Sequence, residues 1–179
     1  DAIIVSARTS GEEDDEAGAT LFLVPRDAAG VDVERIDMVD SRNSGRVTLE
    51  NVELDADAVI GEVDEGAAAL KTILRAGRAA VAAEMLGSAQ ESLERSLDYA
   101  KDRKQFGATI ASFQALQHRA AHLYSEIQMG KSLVLKSLMA LDEDHEDAEL
   151  LTTAAKIKMS QVAQLSAQEG VQFHGGVGM

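Results

Sequence analysis

The spacing of apolar residues divides the chain into two regions with different periods. Residues 1–65 contain short apolar or alternating runs that are rich in β-branched side chains, which is typical of strands. These runs lie at residues 2–7, 20–24, 31–33, 47–49 and 52–54, and the first two predict buried strands. We therefore predict four to five antiparallel strands, with an acidic hairpin loop at 10–18 and the end of the second strand at Pro25.

From residue 66 onward, apolar residues recur every three or four positions, the period of an amphipathic helix. The first predicted helix runs from Gly66 to Gly107. The second starts after Ser112, a good N-cap residue, and reaches 141. The third runs from 148 to 171, after an acidic connection that also suits a helix N-terminus.

These patterns predict an α+β chain with two domains. Residues 1–65 would form part of an antiparallel β-barrel or sheet, and residues 66–179 a helical bundle. Three long antiparallel helices do not easily close a stable bundle. We therefore expect an incomplete four-helix bundle, whose fourth helix comes from further sequence or from a partner. The absence of an initiator Met and the end within a glycine-rich run suggest a piece of a longer polypeptide.

The composition narrows the class of protein. Hydrophobic residues make up 45% of the chain, which indicates a globular protein, and there is no Cys, which excludes disulfides and Cys-based metal sites. A chain without Cys is compatible with a reducing compartment, and we expect a cytoplasmic protein. No apolar run approaches the roughly 20 residues of a membrane span, so no membrane segment is expected.

The net charge of −14 is concentrated in the first region. Residues 1–66 hold 18 of the 31 acidic residues but only five of the 17 basic ones. This excess is interpreted as a solvated acidic surface. Nucleic-acid binding is not expected, because contacts to phosphates need a basic surface.

The segment between the first two helical patterns is basic. Lys101, Arg103 and Lys104 lie within four residues and are followed by Gly107. A basic turn that ends in glycine suits an anionic ligand better than a hydrophobic core. A second glycine-rich segment, residues 172–178, would expose backbone N–H groups to such a ligand, although a glycine-rich helix C-cap explains the same pattern.

Three further residues have two interpretations each. His118 and His122 have the i, i+4 spacing of paired metal ligands, but no third ligand accompanies them, so we interpret them as helix-surface residues and predict no metal site. Arg78 lies in a small, apolar stretch. It either forms a salt bridge or lines a ligand pocket between helices.

Together, these segments resemble the acyl-CoA dehydrogenase family of flavoproteins. The helical motifs that carry the resemblance are Arg103-Lys-Gln-Phe-Gly107, Phe113-Gln114 and Gln172-Phe-His-Gly-Gly-Val-Gly178. The segments 22–25, 30–31, 44–47 and 59–61 are similar to the family's middle β-domain. The resemblance implies a middle β-barrel followed by a C-terminal four-helix bundle, assembled as homodimers or homotetramers, with FAD bound between barrel and bundle.

The resemblance also implies roles for single residues. Arg103 would pair with the FAD pyrophosphate, and Lys104, Gln105 and Phe106 would line the same site. The adenosine half would contact Phe113 and Gln114, while Gln172, Gly175 and Gly176 would face the FAD of a neighbouring subunit. Arg78 matches a position near the acyl-CoA substrate.

The family reaction is the α,β-dehydrogenation of an acyl-CoA thioester in fatty acid metabolism, with electrons passed to an electron-transfer flavoprotein. By resemblance, the glutamate base lies beyond Met179. The family's alternative position for a base directly precedes an arginine on the first long helix. Here that arginine matches Arg78 and the position before it is Gly77, so no catalytic residue is assigned. We expect this chain alone to be inactive. A related flavin oxidase or monooxygenase on the same fold, and a non-catalytic helical oligomerisation module, are the alternative functions.

Overall fold

The computed structural model describes residues 1–15 and 17–179. Glu16, which belongs to the acidic loop predicted at 10–18, lies outside the described residues. The chain divides into two compact units, 1–72 and 73–179. Short strands dominate the first unit and long helices the second, which confirms the predicted α+β class.

The strands of the first unit form two small antiparallel sheets. Strands β1 (Ala2–Arg8), β2 (Ala19–Pro25) and β5 (Val59–Ile60) make a three-stranded sheet with β2 in the centre. Strands β3 (Val31–Asp37) and β4 (Asn43–Leu49) pair as a hairpin. Among the described residues these sheets do not close into a barrel.

Two details of the sheet prediction are wrong. β1 is not a buried strand, because its residues alternate between exposed and half-buried, and the buried apolar side chains Leu21 and Val24 lie on the central strand β2. Val52 and Leu54 do not extend the sheet. The chain turns at Asn51, which has φ +52°, and residues 52–54 form no strand.

Hydrogen bonds tie the β1–β2 hairpin to the segment before the first helix. The Thr9 hydroxyl donates to Asp64 Oδ1 (2.6 Å), and the Asp64 backbone N–H donates to the Thr20 hydroxyl (2.8 Å). The donated hydroxyl of Thr9, and after it that of Ser10, hold the pKa of the Asp64 carboxyl below its ordinary value. Asp64 therefore joins two segments that are far apart in sequence.

Three long helices follow, with a small hairpin between the first two. The helices are α1 (Gly66–Asp102), α2 (Gln114–Asp142) and α3 (Ala148–His174). The hairpin consists of β6 (Lys104–Gln105) and β7 (Ala108–Thr109), joined by two residues with positive φ, Phe106 and Gly107. A 3-10 turn at Ile110–Ser112 leads into α2.

The predicted end of α1 and the predicted N-cap of α2, on either side of this hairpin, are wrong. α1 ends five residues before Gly107, because the chain reverses there and the Ile110 N–H donates to the Arg103 carbonyl (2.9 Å). Ser112 does not cap α2. Phe113 occupies the N-cap position, and the Ser112 hydroxyl donates to the Thr109 carbonyl (2.7 Å). A two-residue strand pair is too short to produce a period-two pattern.

Pairs of contacting residues give the directions of the helices. Between α2 and α3, Arg119 contacts Glu169 and Glu126 contacts Lys158, so these helices are antiparallel. Contacts between α1 and α3 pair Arg78 with Thr153, Ser92 with Ser166 and Tyr99 with His174. Residue numbers rise together along α1 and α3, so these two helices are parallel. Their last turns consequently lie side by side at one end of the helical unit.

The core of the helical unit is built from small and medium aliphatic side chains contributed by all three helices. Its buried members are Ala82, Leu86, Ala89, Leu93, Leu123, Ile127, Val134, Ala155, Met159 and Val162. α2 and α3 approach closely at Gly130, where an added Cβ would lie 2.5 Å from Met159 Sδ. Within the described part of the chain, no helix combines the length and apolar character needed to cross a membrane.

Candidate functional site

A cavity of about 330 Å³ lies where the last turns of α1 and α3 meet, and we call it the Arg103 cavity. Four of the residues predicted to bind a cofactor line it: Arg103, Gln105, Gly175 and Gly176. Five others that the sequence did not single out complete the lining: Tyr99, Ile110, Phe173, His174 and Val177. The parallel course of α1 and α3 brings together two motifs that are about 70 residues apart in the chain.

The backbone of Arg103 is held on both sides while its side chain is free. Its N–H donates to the Tyr99 carbonyl (2.9 Å), which continues the last turn of α1, and its carbonyl accepts from Ile110. The residue is exposed, and no hydrogen bond or ion pair of its guanidinium is found among the described residues. Lys101, by contrast, pairs with Asp98 at 3.0 Å. An unpaired guanidinium on an anchored backbone can donate two hydrogen bonds to an anion without breaking an existing ion pair.

The glycine turn after α3, residues 175–177, also lines the cavity. Gly175 has φ +58° and ψ −134°, a conformation that glycine adopts readily, and its N–H donates to the Val171 carbonyl. It is therefore a helix C-cap, as one of the two interpretations of the sequence proposed. An added Cβ at Gly175 or at Gly176 would meet nothing within 4 Å. The turn thus presents bare backbone to the cavity.

Tyr99 and His174 form a stacked pair in the lining. Their ring centroids are 4.4 Å apart with an interplanar angle of 29°, and His174 Nδ1 lies 2.8 Å from the Gly170 carbonyl oxygen. Sequence reasoning missed this pair. Two signals could have indicated it: Tyr99 precedes Arg103 by one helical turn, and His174 directly precedes the glycine turn.

Lys104 and Phe106, the other candidates of the hairpin, lie beside the cavity, whereas Gln105 belongs to its lining. Lys104 is exposed, and the part of the chain that the structure describes offers its ammonium no carboxylate. Gln105 donates from its amide to the Lys104 carbonyl (2.6 Å). Phe106 is 94% exposed and makes an edge contact with Phe113, with centroids 6.3 Å apart.

Three more predicted cofactor residues lie outside the lining of the cavity, in addition to Lys104 and Phe106. Phe113 and Gln114 stand at the start of α2, and Gln172 lies in the last turn of α3, where its side chain is exposed. Gln172 is nevertheless the immediate neighbour of Phe173 and His174, which do line the cavity. The roles of these three residues stay predictions.

Arg78 lies far from the cavity along α1 and is engaged in contacts between helices. Its Nη1 donates to the Thr153 hydroxyl (2.9 Å) and forms an ion pair with Glu149. These contacts agree with the interpretation of Arg78 as a residue that forms a salt bridge. Its role near the acyl-CoA substrate stays a prediction. Its neighbour Gly77 has open space around the position of a Cβ.

Two further groups of titratable or charged side chains lie on α2 and α3. His118 and His122 are both exposed on α2, and no cluster of three potential metal ligands is found among residues 1–15 and 17–179. Arg119 and Glu169 form a bidentate pair, with Nε–Oε2 2.6 Å and Nη2–Oε1 2.9 Å. Glu169 is only 7% exposed and lies five residues before His174, so this pair fixes α3 just ahead of the cavity.

Comparisons with known proteins agree on one family. The model of the acyl-CoA dehydrogenase C-terminal domain matches residues 64–179. Probable acyl-CoA dehydrogenase YngJ of Bacillus subtilis is 34% identical over 180 residues, which are 98% of this chain and 47% of the relative. The CarC subunit of the caffeyl-CoA reductase-Etf complex of Acetobacterium woodii is 30% identical over 165 residues, 90% of this chain and 43% of the relative.

A solved structure extends the similarity to the fold. The structure of butyryl-CoA dehydrogenase from Megasphaera elsdenii superposes with a TM-score of 0.91 at 28% identity, covering 99% of this chain and 47% of that chain. The chain therefore spans about half the length of the proteins it matches.

Proposed function

The chain belongs to the acyl-CoA dehydrogenase family, and on this premise we propose that the protein that includes it is an FAD-dependent dehydrogenase of acyl-CoA thioesters. Its reaction would introduce a double bond between the α and β carbons of the acyl group. The observation that carries the proposal is the Arg103 cavity, which combines an unpaired guanidinium with bare glycine backbone.

The chemistry of the cavity fits the diphosphate of FAD. A diphosphate is a compact anion with several acceptor oxygens, and the forked donors of Arg103 match such oxygens in geometry and charge. The open Cβ positions of Gly175 and Gly176 would let a ligand approach the main chain closely. The lining contains no carboxylate among the described residues, so no like charge opposes the anion.

In this proposal, the residues around the cavity bind and orient FAD. Arg103 holds the diphosphate, with Lys104, Gln105 and Phe106 beside it. Phe113 and Gln114 contact the adenosine half. Gln172 and the glycine turn face the same cofactor, which would belong to a neighbouring subunit, so we propose a homodimer or homotetramer. Arg78 contributes to the acyl-CoA site.

The dehydrogenation removes a proton from the α carbon and a hydride from the β carbon of the substrate. FAD supplies the two-electron acceptor when it is bound. We propose that the base is a glutamate in sequence after Met179, since Gly77 offers no carboxylate at the alternative position. The relative in the caffeyl-CoA reductase-Etf complex supports an electron-transfer flavoprotein as the partner that removes the electrons.

Replacing Arg103 in the full-length protein tests the proposal. Arg103→Met keeps a flexible apolar stem but removes the charge and the donors, and we expect most of the bound flavin to be lost during purification. Flavin content per protomer is measured from absorbance. Lys101→Met is the matched control, because Lys101 is two residues away but already paired with Asp98.

The flavin content of the two variants distinguishes a flavoenzyme from a non-catalytic oligomerisation module. Loss of flavin in Arg103→Met and retention in Lys101→Met support the proposal. Equal flavin content in both variants, with unchanged oligomeric state, would contradict the cofactor role of the cavity. Enoyl-CoA formation by the wild-type protein with an acyl-CoA substrate and an electron-transfer flavoprotein then tests the reaction itself.

A further inference from the structure

His174 lines the Arg103 cavity, yet the family motifs leave its side chain without a role. We propose that His174 is a further ligand-contacting residue, which in its protonated form donates a hydrogen bond from Nε2 to the anion that Arg103 binds. The affinity of the cavity for that anion would then depend on pH. This inference rests on the proposed function, because it takes the anion to be the diphosphate of FAD.

The hydrogen bond at His174 Nδ1 determines the tautomer of the ring. His174 Nδ1 lies 2.8 Å from the carbonyl oxygen of Gly170. A carbonyl oxygen can only accept, so Nδ1 carries the hydrogen. In the neutral ring, Nε2 is then an acceptor and cannot donate to a phosphate oxygen. Protonation adds both a donor at Nε2 and a positive charge, so anion binding and proton uptake favour each other.

Two contacts hold the ring of His174 in position. The stack on Tyr99 covers one face, and the bond to Gly170 holds the Nδ1 edge against α3. These two contacts restrict the ring to a narrow range of orientations. Nε2 lies on the far side of the ring from the backbone and has no hydrogen-bond partner among residues 1–15 and 17–179. A positioned ring with a free nitrogen is suited to contact a ligand.

Charged side chains lie on both sides of His174. On the cavity side lie Tyr99 of α1 and Arg103, which directly follows α1. On the other side, the groove between α1 and α3 contains Arg95, which is paired with Glu91. Glu169, on α3 itself, is held by Arg119. The described lining offers no carboxylate to a protonated His174, so a bound diphosphate would compensate both His174 and Arg103.

Binding of FAD to the full-length apoprotein tests the inference. Quenching of flavin fluorescence is followed between pH 6 and pH 8 at constant ionic strength. We expect the dissociation constant of the wild-type protein to fall about tenfold toward pH 6, the size expected for one charge-assisted hydrogen bond. Riboflavin, which has no phosphate, should bind without this pH dependence.

His174→Asn is the matched variant. Its amide nitrogen can take the place of Nδ1 and donate to Gly170, but it has no counterpart of Nε2. We expect FAD binding that no longer changes with pH, while the circular dichroism spectrum and thermal midpoint stay close to those of the wild type. Tyr99→Phe, which keeps an aromatic ring for the stack, should retain the pH dependence.

The outcomes distinguish this inference from the proposed function. If wild type and His174→Asn show the same pH dependence while Arg103→Met abolishes FAD binding, the role of His174 is wrong and the cofactor site stands. If Arg103→Met binds FAD normally, the proposed function fails first. Should His174→Asn not fold, calorimetry of the wild type in two buffers of different ionisation enthalpy decides: net proton uptake on binding FAD at pH 7 is expected, and none would overturn the inference.

Discussion

The Arg103 cavity and the α2–α3 interface each contain an arginine and a glycine, but these residues have different surroundings in the two places. At the interface, Arg119 forms a bidentate pair with the buried Glu169, and Gly130 lies directly against Met159. At the cavity, no described partner pairs with the Arg103 side chain, and Gly176 faces open space.

This difference separates residues that hold the fold together from residues that are available to a ligand. An arginine whose donors are satisfied by a buried carboxylate contributes to stability, and removing it leaves a buried charge unpaired. An unpaired arginine beside bare backbone contributes little to stability but offers donors to an anion. Likewise, a glycine whose would-be Cβ position lies against a neighbouring atom contributes to packing. A glycine with open space at that position leaves room for a ligand. Substitutions in the two regions should therefore affect different measurements.

The largest effect on stability is expected from Arg119→Met. It leaves the carboxylate of Glu169 buried without its partner. Because the side chain of Arg119 is itself 45% exposed, we expect a loss of about 2 kcal/mol in the free energy of unfolding, the size of a hydrogen bond to a charged group. Urea unfolding of the full-length protein measures it. Arg103→Met should change that free energy by less than about 0.5 kcal/mol. Equal losses for the two variants would remove the distinction between the paired and the unpaired arginine.

Gly130→Ala should have the next largest effect. The new Cβ would lie 2.5 Å from Met159 Sδ, so either the side chain of Met159 or the spacing of the helices has to change. We expect a loss of about 1–2 kcal/mol, since overpacking outweighs the helix propensity gained from alanine. Thermal unfolding measures the loss, and flavin affinity should stay unchanged in the folded variant. A more stable Gly130→Ala would mean that the interface has spare room.

Gly176→Ala is the corresponding substitution at the cavity. It should lower flavin affinity without lowering stability. No atom lies within 4 Å of the added Cβ, so the thermal midpoint should not fall. The methyl group would occupy space at which a ligand approaches the main chain. We expect flavin affinity to fall several-fold, about 1 kcal/mol, in a fluorescence titration. Unchanged affinity would exclude close approach of the ligand at this glycine.

The smallest effect is expected at Asp64, a partnered carboxylate on the surface of the first unit. Hydrogen bonds from Thr9 and then Ser10 lower its folded-state pKa, so its contribution to stability is present above the ordinary pKa of about 3.9. That contribution is lost as the pH falls through the lower folded-state value. Asp64→Asn should therefore reduce the dependence of stability on pH below about pH 4. Acid unfolding curves that coincide for both proteins would contradict this.

The sequence predicted the elements more reliably than their ends. The three helices were found because their apolar side chains recur with the helical period over seven or more turns. The β6–β7 hairpin was missed because two-residue strands have no period, and Ser112 was misread as an N-cap because its hydroxyl bonds back to Thr109 instead. In the sheet, the alternation of β3 and β4 was visible, whereas the irregular course after Asn51 was not.

Site prediction followed the same division between local and non-local information. Arg103 and the glycine turn could be found locally, from a basic turn and a run of glycines. The pairing of Arg119 with Glu169 carries no signal, because both are ordinary charged residues on separate helices. Tyr99 and His174 stand next to predicted residues, but their stacking depends on how the helices are placed.

By itself, the amino-acid sequence determined the two periods of the chain, the order of strands and helices, and two segments suited to an anion. Only the tertiary structure decided that these segments share one cavity. Helical periodicity gives each helix an apolar face but not the direction of its neighbour. The antiparallel α2 makes α1 and α3 run parallel, so Arg103 and Gly175 meet at the same end of the helical unit.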